Sequence, residues 1–140
     1  VEWYDEYIAV RFRGNSSQSG ISSNAPASIE EVNLPGYMPE GYTTTAFRYK
    51  KLFSADYYDS DGKYAFTYIQ GTQERDILQI DTPNEPPKDI DINGNEGILM
   101  IEDGIMTVVW QDSRYLYVIQ GVFETQEDIL KVCRSVKQYK

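Results

Sequence analysis

Ile105-Met106-Thr107-Val108-Val109-Trp110-Gln111-Asp112-Ser113-Arg114-Tyr115-Leu116-Tyr117-Val118-Ile119 is the stretch that decides the fold. Met106, Val108 and Trp110 fall on one side of an extended chain, and after a polar break Tyr115, Tyr117 and Ile119 fall on one side of the next. Side chains of a strand alternate between its two faces, so this spacing predicts two strands, each with an apolar face. The same pattern runs upstream. Phe47, Tyr49 and Phe53 alternate with Arg48, Lys50 and Ser54; Tyr64, Phe66 and Tyr68 alternate with Ala65, Thr67 and Ile69. Ile77, Leu78 and Ile80 make a further run, Ile90 and Ile92 stand between Asp89, Asp91 and Asn93, and Ile98–Ile101 follows. Asp61-Gly62, Asn93-Gly94 and Asp103-Gly104 punctuate these runs. Such dipeptides supply the positive φ values of tight hairpin turns, and sequential hairpins make an antiparallel meander.

Beyond the last strand the period changes. Thr125-Gln126-Glu127-Asp128 resembles a capping box, with acidic residues at the favourable end of a helix dipole. Ile129, Val132, Cys133, Val136 and Tyr139 then recur at helical spacing, with Lys131, Arg134, Lys137 and Lys140 toward the C-terminal end. The expected class is therefore α+β: an antiparallel β-meander of about six to eight strands with a C-terminal helix packed on one face. A length of 140 residues fits one such domain and one core. Twelve tyrosines agree with a strand-rich chain, because a tyrosine ring packs on a sheet while its hydroxyl stays wet.

The N-terminal part differs. Trp3, Tyr7, Ile8 and Phe12 sit at helical spacing, which predicts a short amphipathic helix of juxtamembrane type over 1–12, although the β-rich Tyr4, Tyr7, Ile8 and Val10 leave a strand open. Residues 13–33, rich in Ser, Gly and Asn as far as Ser28, read as a flexible linker, and 34–140 as the folded domain. The chain opens on Val1-Glu2-Trp3-Tyr4 rather than Met, which leads us to expect a piece of a longer protein whose remainder holds a membrane anchor.

Composition removes several chemistries. A net charge of −9, with Arg48, Lys50 and Lys51 the densest basic cluster, disfavours nucleic acid and an anionic membrane surface. Histidine is absent, which takes away the commonest general base and the commonest metal ligand together. Cys133 is the one cysteine and lies on the apolar helix stripe, where a buried inert thiol is the ordinary reading. Asp56-Tyr57-Tyr58-Asp59-Ser60-Asp61-Gly62 resembles a calcium loop, but alignment on Gly62 puts Tyr57 and Tyr68 at ligand positions, so a hairpin turn is expected. Asn93-Gly94-Asn95-Glu96-Gly97 lacks the lysine and the helix of a phosphate loop. No catalytic, cofactor-binding or metal-binding residues are expected. The candidates for binding are rings on a sheet, Tyr49, Tyr64, Tyr68, Tyr115 and Tyr117, set against the plainer reading of cross-strand aromatic packing.

Four segments together carry a resemblance. Leu34-Pro35-Gly36-Tyr37-Met38-Pro39-Glu40-Gly41-Tyr42, Ile92-Asn93-Gly94-Asn95-Glu96-Gly97, Val109-Trp110-Gln111-Asp112-Ser113-Arg114-Tyr115-Leu116-Tyr117 and the helix ending near Ser135-Val136-Lys137 are similar, in order and spacing, to the bacterial family called domain of unknown function 4367. Ser113-Arg114 departs from the Gly-Asp that the family's pattern would place there. The resemblance implies an extracytoplasmic C-terminal domain of a single-pass membrane protein of Gram-positive bacteria, some with an anti-sigma-factor-like cytoplasmic part, and it brings no catalytic residues. The expected function is a non-catalytic sensor or interaction domain of a membrane-anchored regulator, meeting an envelope protein or a small ligand. A carrier of lipid, peptide or glycan on an open sheet face is the alternative, and a carboxylate-dependent hydrolase the remote one.

Overall fold

The computed structural model describes the backbone of residues 2–4, 7–10, 26–73, 78–81 and 87–138, with side chains for 26–73 and 87–137. Seven strands form the main sheet: β4 (Thr43–Arg48), β5 (Leu52–Tyr58), β6 (Tyr64–Thr72), β8 (Lys88–Ile92), β9 (Asn95–Glu102), β10 (Ile105–Gln111) and β11 (Tyr115–Gly121). Short strands β1 (Glu2–Tyr4), β2 (Tyr7–Val10) and β7 (Leu78–Asp81) form a three-stranded sheet, and β3 (Asn33–Pro35) pairs with β12 (Val136–Gln138). One helix, α1 (Gln126–Arg134), lies between β11 and β12.

Every pairing is antiparallel, but the order in the main sheet is β4-β5-β6-β11-β10-β9-β8. The expected single meander is thus two meanders joined edge to edge. The reason is β7, which leaves the sheet to pair with β2, so the edge of β6 is taken by β11. The hairpins turn where the dipeptides stand. Asn93 and Gly94 (φ 54° and 89°) connect β8 to β9, and Asp103 and Gly104 (φ 50° and 80°) connect β9 to β10. Two consecutive positive φ values match the twist of the flanking strands, which is why Asx-Gly was informative. In the β5–β6 turn Asp59 Oδ1 accepts from the amides of Asp61 (2.9 Å) and Lys63 (3.0 Å), so this oxygen holds the hairpin itself.

Two expectations about helices change. The N-terminal helix over 1–12 is not seen: Glu2–Tyr4 and Tyr7–Val10 pair as a hairpin, the alternative that Tyr4, Tyr7, Ile8 and Val10 left open. The C-terminal helix starts where its cap predicts, with Thr125 Oγ1 accepting from the Asp128 amide at 3.2 Å, but stops at Arg134. Val136 leaves the helical stripe because the edge of β3 captures it: Val136 pairs with Pro35, and the Gly36 amide donates to Ser135 O at 2.9 Å. Tyr139 lies outside the described residues, as do 13–25 of the expected linker. Its far end, around Ile29, packs on the sheet: Ile29 is buried, its amide donates to Lys50 O (2.7 Å), and Arg48 donates to its carbonyl (3.0 Å).

The core has two sides. Under α1, Ile129, Val132 and Cys133 meet Leu99, Val108, Trp110, Tyr115, Tyr117 and Ile119, joined by Phe53, Tyr57, Phe66 and Tyr68. Met106 and Val136 are half-buried at its margin. On the opposite face Ile98, Met100, Val109, Leu116 and Val118 form a second buried apolar cluster. Among the described residues no helix is long and apolar enough to cross a membrane.

Candidate functional site

The five candidate tyrosines separate by burial. Tyr68, Tyr115 and Tyr117 point under the helix and are buried, with their hydroxyls engaged. Tyr68 Oη donates to Asn33 O (2.6 Å), and Tyr117 Oη donates to Asp112 Oδ2 (2.7 Å) while accepting from Asn33 Nδ2 (2.8 Å). Tyr115 Oη accepts from the Glu30 amide (3.0 Å). Gln70 completes the set, accepting from the Asn33 amide (2.8 Å) and donating to Glu31 O (2.9 Å). These rings pin residues 30–33 to the sheet, and Tyr117 also stands in the wall of a small polar cavity. Period-two spacing could not separate these rings from the exposed Tyr64, which shares the period of Tyr68 in β6 but lies beyond a shift in the β5–β6 register.

Burial first, then the neighbouring charge of Asp112, pushes the Tyr117 phenol far above its ordinary range, and burial raises Tyr68 likewise. A phenol whose folded pKa is raised contributes stability that is complete below the unfolded value of 10.0 and is lost as pH rises beyond it. Urea unfolding should therefore give a midpoint that falls steeply above about pH 10, and Tyr117→Phe should flatten that fall. A midpoint unchanged from about pH 8 to 11 would contradict the assignment.

Three of the segments carrying the family resemblance (92–97, 109–117 and 135–137) converge on a polar cavity of about 300 Å³. Asn33, Asn93, Asn95, Trp110, Asp112 and Arg114 are among its walls. Much of this polar surface is structural. Asn93 Nδ2 donates to Arg134 O (2.9 Å), tying the β8–β9 turn to the end of α1. Asp112 Oδ1 accepts from the amides of Arg114 (2.7 Å) and Tyr115 (2.8 Å), forming the turn into β11. Where the family's pattern would place Gly-Asp, Arg114 bonds Glu30 at 2.7 Å and so clamps the N-terminal segment. Trp110 stacks on Tyr117 at 5.1 Å between ring centroids.

A larger groove, of about 500 Å³, opens where β6 begins, β11 ends and α1 starts. Tyr37, Tyr42 and Tyr64 stand around it with Asp59, Glu124 and Asp128, over an apolar floor that includes Phe66 and Phe123. Tyr64 is 50% exposed, its hydroxyl set by Thr67 Oγ1 at 2.7 Å and Gln120 O at 3.3 Å, and Val122 beside it is 66% exposed. Partial burial, then Asp59 and Glu124, raises the Tyr42 phenol, so both carboxylates act on this ring. Lys131 lays its ammonium on the Tyr37 ring, 4.2 Å from the centroid. Tyr37 and Tyr42 were missed as candidates because they precede the strands. The available signal was the segment 34–42 itself, whose Pro35, Pro39 and Gly41 (φ 86°) shape a fixed turn that carries two rings. Tyr49 is exposed elsewhere, in the β4–β5 turn.

The groove offers aromatic faces and carboxylates for recognition. Cys133 is buried in the core, where desolvation holds its thiol far above the ordinary range and the inert form dominates. Among the described residues no group of three or more His, Cys, Asp or Glu is gathered to hold a metal ion.

Comparison with protein families gives one match: residues 33–136 fit the model described as domain of unknown function (DUF4367). Comparisons with curated proteins and with solved structures give no match.

Proposed function

The chain belongs to the domain of unknown function 4367 family, and from that premise we propose that it is a non-catalytic interaction domain, held on the extracytoplasmic side of a membrane-anchored regulator of anti-sigma-factor type. The observation that carries the reading is the groove of Tyr37, Tyr42 and Tyr64, the place where exposed rings and carboxylates converge on a concave surface. Aromatic rings with polar neighbours in a concavity are the usual anchors of recognition. The alternative of a carrier on an open sheet face has less to rest on, since both faces of the main sheet hold buried apolar clusters. The membrane setting is part of the proposal, and its support is the family resemblance alone.

The test uses the full-length protein in its own host. Protease added to intact protoplasts should remove the domain, and a Tyr42→Ala/Tyr64→Ala double variant should shift the same transcripts as deletion of the domain. A domain shielded from protease would refute the location. Transcript levels that stay wild-type in the double variant while the deletion changes them would refute the groove as the sensing element.

A further inference from the structure

The groove is charged with one sign. Its lining holds Asp59, Glu124 and Asp128 and no lysine or arginine, in a chain of net charge −9. Three tyrosine rings stand among these carboxylates, and a ring face flanked by anions attracts an organic cation both through its quadrupole and through the neighbouring charge. The fold already contains that contact: the Lys131 ammonium rests on the outer ring, Tyr37.

The surroundings favour a chain over a free amine. Tyr42 leads directly into β4, the edge strand of the main sheet, whose outer side is unpaired among the described residues. All six residues of β4 are exposed, Phe47 at 60%. The opposite edge, β8, is Lys88-Asp89-Ile90-Asp91-Ile92, with three charges of the kind that discourage strand addition. β4 has no proline or bulge and a single charge at its far end, Arg48, which is bonded to the Ile29 carbonyl (3.0 Å), and an extended peptide paired along Thr43–Phe47 would pass the groove at its Tyr42 end.

We propose that the groove receives a lysine or arginine side chain of an extended partner segment, its cation seated between Tyr42 and Tyr64 and the carboxylates of Asp59, Glu124 and Asp128, with the segment's backbone continuing along β4. This rests on the interaction-domain reading and names its ligand chemistry. Lys131 then acts as an internal competitor for the aromatic surface.

Calorimetry with the 140-residue chain tests it, using an end-capped peptide that alternates lysine with threonine and valine, a matched peptide with glutamine for lysine, and spermidine. The lysine peptide should bind about tenfold or more tighter than the glutamine peptide. Tyr64→Leu should weaken binding about fivefold or more, while Tyr64→Phe, which keeps the ring, stays within about twofold. Lys131→Gln should strengthen it, and Lys88→Gln, the same change of net charge on the far edge, should leave it unaltered. Thermal melts establish that each variant is folded.

Wild-type affinity in Tyr64→Leu, or equal gains from Lys131→Gln and Lys88→Gln, would overturn the site. Spermidine binding as tightly as the peptide would overturn the extended segment. If the lysine peptide does not bind while the Tyr42→Ala/Tyr64→Ala variant still alters transcription, this inference fails alone. If the peptide binds as described and the host phenotype is absent, the regulatory reading fails and the cation site stands.

Discussion

Ile129→Asp should leave the domain without a cooperative unfolding transition. Ile129 is wholly buried on α1, between the sheet and the helix. An aspartate there loses the buried side chain's transfer energy, about 2–3 kcal/mol, and places an ionisable group where no cation answers it. The combined cost of about 4–5 kcal/mol approaches the 5–15 kcal/mol that holds a typical domain together. The strand pairing of Val136 with Pro35 depends on the same docking, because α1 delivers Val136 to β3. Residues 30–33, fastened to Tyr115, Tyr117 and Gln70, should loosen with it. Circular dichroism with urea measures the effect, and Glu127→Asp, which sets the same aspartate two residues away on the exposed side of the helix, is the control. A cooperative transition within about 1 kcal/mol of wild type would mean that the helix is not docked as described.

The sequence made the strands legible because two local signals agreed. Tyr64, Phe66 and Tyr68 repeat with period two, and Asn93-Gly94 and Asp103-Gly104 stand where positive φ values are needed. The start of α1 was legible for the same reason, since a cap is a local device and Thr125 makes its bond within its own turn. What escaped was decided by contacts between distant segments. Val136 fits a helical stripe equally well, but β3, roughly a hundred residues earlier, offers it a backbone partner. β6 lies beside β11 because β7 is drawn to the N-terminal hairpin, and no alternation pattern encodes that choice. The second core was visible in principle. Val108-Val109-Trp110 and Tyr115 through Ile119 are continuous apolar runs, the pattern of strands covered on both faces, whereas reading them as alternating hid Val109, Leu116 and Val118. The groove was hidden because Tyr37 and Tyr42 belong to no periodic element. Three of the candidate rings had the opposite fate: Tyr68, Tyr115 and Tyr117 were found by composition and period, and their hydroxyls then found backbone and carboxylate partners inside the fold.

Gly121→Ala should destabilise the domain by about 2–4 kcal/mol through crowding alone. Gly121 closes β11 opposite Phe66 of β6, and its backbone conformation is one that any residue adopts. The obstacle is space. A Cβ at this position would overlap the Ala65 carbonyl oxygen and the Cα and Cβ of Phe66, which are backbone and the root of a packed ring, so none can swing aside. Relief requires β6 and β11 to part at this end, breaking the bond from the Val122 amide to Ala65 O (3.1 Å). The contact of Phe66 with Tyr57, stacked at 4.7 Å between centroids, and with Phe123 would be strained with it. Because Ala65, Phe66, Val122 and Phe123 also line the groove, the same movement should weaken binding of the lysine peptide. Gly71→Ala is the matched comparison, a glycine of β6 in the same sheet whose added Cβ would meet Leu52 Cδ1 at 3.8 Å and Lys51 O at 3.9 Å, ordinary contact distances. That variant should stay within about 1 kcal/mol of wild type in urea unfolding. If Gly121→Ala proves as stable as Gly71→Ala, the close approach of β11 to β6 is not present in solution, and the floor of the groove must be drawn differently.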